Sequence, residues 1–113
     1  MKASKYILSN IQPGETLVRV MSVGGLTRGW FSDIPEVALT DKRIFARTTQ
    51  GESFSFPASK IKNVEVRPNS GLFGRKSSGK VAVIGPYNRE IVFPSENVTA
   101  DRDLIMKTLN LSL

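Results

Sequence analysis

Cysteine and histidine are both missing from these 113 residues. Without thiols there is no disulfide, thiolate nucleophile or cysteine metal site, and without imidazole the commonest general base and metal ligand are gone too. A long apolar run is also lacking. The longest clean stretch is Val81-Ala82-Val83-Ile84, far short of the ~20 residues that a membrane span needs. The start, Met1-Lys2-Ala3-Ser4-Lys5, is followed by only a brief apolar segment from Tyr6 to Gln12, too short for a signal peptide, so a cytoplasmic protein is expected. Paired carboxylates could serve as acid and base without histidine, but Asp41, Glu52, Glu65 and Glu90 fall singly on expected turns or strand surfaces, and no constellation converges. These absences argue against an enzyme, and no cofactor or metal is expected.

What is present fits one domain over residues 1–113, because splitting so short a chain would leave two cores too small to hold. A hydrophobic content of 40% with 23% charged residues is ordinary for a globular protein. The charge, a net +6, is uneven. Between residues 60 and 89 stand Lys60, Lys62, Arg67, Arg75, Lys76, Lys80 and Arg89 against the single acid Glu65, while elsewhere bases and acids cancel. Such a window is either the solvated face of strands or one basic surface for an acidic lipid or nucleic acid. In the second case the anion-binding candidates are Arg67, Arg75, Lys76, Lys80 and Arg89.

Periodicity predicts mostly strands. Tyr6, Ile7 and Ile11 share a helical face, and Gln12-Pro13-Gly14 ends that short helix. Glu15 to Val23 reads as a strand broken by Gly24-Gly25. Residues 24–33 then place Leu26, Arg28, Trp30 and Phe31 among glycines, where ordinary turns are polar. They either fold back as a lid over an open end of the sheet or form an exposed tip, and are the candidate partner contacts. Val37-Ala38-Leu39 leads into a Thr40-Asp41-Lys42 turn. The next strand, Arg43 to Thr48, has Ile44 and Ala46 on one face and Phe45 and Arg47 on the other. Gln50-Gly51-Glu52 signals a hairpin into Ser53-Phe54-Ser55-Phe56, whose phenylalanines face the core. Ala58 to Ile61 is a one-turn connector that buries Ile61, after which Val64 and Val66 point one way and Glu65 and Arg67 the other.

Residues 68–79 form the longest polar, glycine-rich stretch, tipped by Arg75-Lys76-Ser77-Ser78-Gly79. Amides, hydroxyls and cations there could make an anion nest, but the P-loop spacing and its following helix are lacking. Lys80 to Ile84 and Glu90 to Phe93 make a last hairpin. After Pro94 the pattern turns helical, with Thr99 as expected N-cap, Asp101 and Asp103 at the positive end, and Leu104, Ile105, Thr108 and Leu109 in one stripe. Phe54, Phe56, Ile61, Val64, Val66, Val83, Ile91, Leu104 and Ile105 are expected to share one core.

Three strings, Leu39-Thr40-Asp41-Lys42-Arg43, Lys60-Ile61-Lys62-Asn63-Val64-Glu65-Val66 and Gly71-Leu72-Phe73-Gly74, resemble the Leu-Thr-x-x-Arg, Lys-Ile-x-x-Val-x-Val and Leu-Phe-Gly-like motifs of bacterial pleckstrin-homology-like domains. The resemblance spans about residues 6–111. It implies a mainly β, bent antiparallel sandwich or roll of about seven strands, with a short N-terminal helix and an amphipathic C-terminal helix plugging one end. By strict count that is an α+β fold. The lysine and arginine cluster with which eukaryotic members bind phosphoinositides has no match on the first two strands, which offer Arg19 and Arg28 beside Glu15 and Asp33. The functional expectation is therefore a non-catalytic module that binds a protein partner or self-associates as a homo-oligomer. Binding of an acidic lipid surface or nucleic acid through residues 60–89 is the alternative.

Overall fold

Strand alternation builds most of this molecule, and the computed structural model describes it over residues 3–26, 33–68 and 79–112. Helix α1 (Lys5–Asn10) starts where the Ser4 hydroxyl accepts a hydrogen bond from the Ile7 amide. The strands β1 (Leu17–Leu26), β2 (Asp33–Thr40), β3 (Arg43–Arg47) and β4 (Ser53–Pro57) form a first antiparallel sheet in that order. A second sheet is built from β5 (Asn63–Pro68), β6 (Gly79–Ile84) and β7 (Glu90–Ser95), and helix α2 (Val98–Thr108) follows. A mainly β sandwich of seven antiparallel strands with two flanking helices, the expected fold class, is the result.

The two sheets meet across one core. Val37, Leu39, Ile44, Ala46 and Phe56 from the first sheet pack with Val64, Val81, Val83, Ile91 and Phe93 from the second, and Ile105 and Leu109 of α2 close the cluster. Phe54 and Leu104 lie half-buried against it, and Ile61 is buried at the end of the predicted connector, a 3-10 turn over Ala58–Lys60. Gly85 lets the backbone run against the ring of Phe56, since a Cβ there would stand 2.7 Å from that ring.

Four local expectations change. Gly24-Gly25 does not break β1, because pairing with β2 carries the strand through Gly25 opposite Ile34 to Leu26 opposite Asp33. Cross-strand hydrogen bonding outweighs the weak strand preference of glycine there. Val66 is 44% exposed rather than in the core, since it stands on β5, an edge strand. β7 continues through Pro94, which an edge strand tolerates. Helix α2 accordingly starts at Val98, with Asn97 and not Thr99 as its cap, the Asn97 side chain accepting from the Ala100 amide at 3.0 Å.

Phe45 was expected on the face opposite Ile44 and is there, yet it is only 1% exposed. Helix α1 covers it: Ile7, Val20, Ala38 and Phe45 form a second buried cluster on the outer face of the first sheet. Tyr6 meets the Phe45 ring edge-on at 6.0 Å between centroids, a favoured aromatic geometry.

Candidate binding surfaces

Charged side chains divide into those the fold uses and those it leaves to solvent. The most buried is Glu15, 8% exposed, beside the β2–β3 turn. Arg43 grips both carboxylate oxygens, Nε donating to Oε2 at 2.8 Å and Nη2 to Oε1 at 3.1 Å. Thr40 Oγ1 donates to Oε2 at 2.8 Å and the Gln12 amide to Oε1 at 3.0 Å. The same guanidinium donates to the Asn10 carbonyl at the end of α1 and lies 4.4 Å from the centroid of Phe45. Arg43 therefore holds the Glu15 carboxyl at about 2, well below the usual range, against the opposing effect of burial. This is a clip tying α1 to the sheet, with every carboxylate oxygen occupied. Thr40 and Arg43 both serve Glu15, which has no signal of this part in the sequence because 28 residues separate it from Arg43.

Among the described residues the bases of the window do not gather in one patch. Arg67, the first anion-binding candidate, lies on the outer face of the second sheet and donates to Glu90 on β7 and to Glu65 on its own strand, both at 3.2 Å. Glu90 is held below its usual pKa by that pairing. Arg67 and Glu90 stand at diagonal corners of the face, with Ala82 on the central strand between them, 0% exposed. With Lys80, which pairs with Arg67 in the register, two carboxylates face two cations there and the face carries no net charge.

Lys80 is exposed in the same register row as Arg67, at the start of β6. Arg89 stands after the far end of that strand, opposite Gly85 and about 16 Å along it from Lys80 at ~3.3 Å per residue. Arg75 and Lys76 lie outside the described residues. At the Arg89 end the Lys62 amide donates to the Ile84 carbonyl at 2.7 Å, which sets Lys62 beside the β6–β7 turn, with Lys60 two residues before it at the end of the 3-10 turn. Lys60, Lys62 and Arg89 are all exposed, and none has an ion-pair partner among the described residues. Arg89 stacks instead on Phe54 of β4, 4.4 Å from the ring centroid.

That turn is unusual. Arg89 N donates to Pro86 O at 3.2 Å across Tyr87 and Asn88, and both central residues are left-handed, with φ of 59° and 58°. This turn type ordinarily takes Asn-Gly. A left-handed tyrosine costs about 1 kcal/mol or more, and here it leaves the ring 90% exposed.

Of the partner-contact candidates only Leu26 lies among the described residues. Leu26 ends β1 opposite Asp33, while Arg28, Trp30 and Phe31 lie outside the described residues, so neither the lid nor the free tip is decided. The strands leading to them are informative. β3 pairs with β2 only from Glu36 to Leu39, so the β1–β2 ribbon continues beyond the sheet through Gly25 opposite Ile34 and Leu26 opposite Asp33. Val23, 58% exposed, stands at its root.

Among the described residues no three Asp or Glu side chains gather as a metal-ligand set, and no helix is long and apolar enough to cross a membrane. No protein-family model and no curated protein matches the chain. Among solved structures it is similar to the C-terminal domain of an unknown protein from Leishmania infantum, at 16% identity over 88% of each chain and a TM-score of 0.59. At that identity the likeness concerns the fold alone.

Proposed function

We propose that this chain is a non-catalytic interaction module of the bacterial pleckstrin-homology-like kind, acting in the cytoplasm, and that it self-associates or binds a protein partner through the β1–β2 ribbon. The overhang of that ribbon carries the reading. From Glu36 to Asp33 it extends about 10 Å past the last pair with β3, at ~3.3 Å per residue. Neither of its edges is paired with another strand among the described residues. Two strands alone are marginal in water, and an unpaired edge is a template for another strand. The root adds exposed Val23 and half-buried Ile34. Seven antiparallel strands with a terminal helix are the architecture that the resemblance implies.

Solution mass tests the proposal. Light scattering at tens of micromolar should give a discrete multiple of 12.4 kDa, and Val23→Lys should return the protein to that unit mass while it still unfolds cooperatively. Trp30 is the sole tryptophan, so its emission should be blue-shifted in the assembly and shift red on dilution. A unit mass at every concentration, with red and freely quenched emission, would remove self-association.

A further inference from the structure

The ribbon reading leaves the β6–β7 turn unexplained. Tyr87 is held in a left-handed conformation that tyrosine disfavours, and in return its ring makes no packing contact that shields it. Strain kept without a folding benefit points to use of the group that is strained. Three exposed cations with no described acidic partner go with it: Arg89, two residues on and pre-set on Phe54, Lys62, bonded through its amide to the Ile84 carbonyl, and Lys60, two residues before Lys62 in the chain.

We propose that the turn at Pro86–Asn88, with Lys60, Lys62 and Arg89, is a binding site for single-stranded nucleic acid, in which one base stacks on Tyr87 and the flanking phosphates meet the three cations. An exposed planar ring beside unpaired cations is the minimal unit of sequence-tolerant single-strand binding. A duplex does not fit this unit, because its bases are already stacked on each other. A membrane does not fit it well either, since Tyr87 stands between Pro86 and Asn88 and offers the tip a single large ring rather than an apolar cluster to insert. The site is separate from the ribbon, and each can fail without the other.

The test is fluorescence anisotropy of a labelled twelve-residue oligothymidylate at 50 mM salt, repeated against a duplex of the same length and against phosphatidylglycerol vesicles. Neutralising three phosphates should give a slope of log affinity on log salt of about −2, at ~0.7 per single-strand phosphate. Replacing Lys60, Lys62 and Arg89 together by Gln should flatten it, whereas Lys80→Gln should not. Tyr87→Gly suits the left-handed backbone, so the variant keeps its fold while losing the ring. It should weaken binding about 10-fold, within the range of one stacked base, with the salt slope unchanged, and Tyr87→Phe should bind as the parent does. No binding at 50 mM salt overturns the proposal. So does full affinity in Tyr87→Gly, which would mean attraction by net charge alone, or equal affinity for the duplex. Vesicle binding that depends on Tyr87, without oligonucleotide binding, overturns it in favour of a lipid surface.

Discussion

The outer faces of the two sheets meet the same problem in opposite ways. The first sheet turns apolar side chains outward as well as inward, and Phe45 and Ala38 are buried only because α1 lies over them. Its charged pair, Glu15 with Arg43, is buried and fully hydrogen-bonded at the edge of that cover. Among the described residues no helix lies on the outer face of the second sheet. Arg67 there reaches across Ala82 to Glu90 and shields a small residue with partly exposed charges. A salt bridge thus has two meanings in one small molecule: on the first sheet it fastens a structural element, on the second it covers a strand.

Shortening the outward aromatic probes that contrast most strongly. Phe45→Ala should cost about 3 to 5 kcal/mol in urea unfolding, the range for a buried phenylalanine. Val92→Ala, at a half-buried site on the outer face of the second sheet, should cost about 1 kcal/mol, close to what one lost methylene or two exposes there. Equal losses would mean that α1 does not cover the first sheet as described.

Much of this arrangement is legible in the residues themselves. The alternation of Ile44 with Phe45 and of Phe54 with Ser55, the turn formers and the amphipathic tail give the strand number, both helices and most of the core. What the residues hide is cover. Phe45 and Arg47 alternate alike with the core positions, yet one is buried and the other exposed, and only the placement of α1 separates them. The same holds for charge: Arg67 and Arg89 look equivalent in a basic window, but register brings Glu90 to one and Phe54 to the other. Glu15 has no local signal, since its partner comes from a turn two strands away.

Acid should expose the difference between the two pairs next. The Glu15 carboxyl is at about 2 in the folded chain against 4.5 ordinarily. Because its pKa is depressed on folding, the stability it contributes is complete above about pH 4.5 and is lost as the pH falls toward 2. The linkage is worth about 3 kcal/mol at 1.36 kcal/mol per pKa unit. Glu15→Gln should therefore be less stable than the parent at pH 7, and the gap should close as the pH falls through that window. Glu90 is shifted in the same direction by Arg67, but solvent screens it, so Glu90→Gln should leave most of the parent's acid profile in place. If Glu90→Gln flattened the profile and Glu15→Gln did not, the roles of the two pairs would be exchanged.

The smallest expected effect is the most exacting check on the second sheet. Arg67→Met keeps the unbranched stem that lies across Ala82 and removes only the guanidinium, so it separates the charge from the packing. Both partners are about one-third exposed, and pairs of that kind contribute between zero and about 1 kcal/mol. The substitution also leaves Glu65 and Glu90 facing each other without a cation, yet both carboxylates reach water, and no buried charge is stranded. Whatever loss appears at low salt should shrink at 1 M salt, where charges are screened beyond about 3 Å. A loss of 3 kcal/mol that persisted in high salt would be the behaviour of a buried pair. It would place Arg67 under cover, as Arg43 is, and would require something on the outer face of the second sheet to exclude water from it.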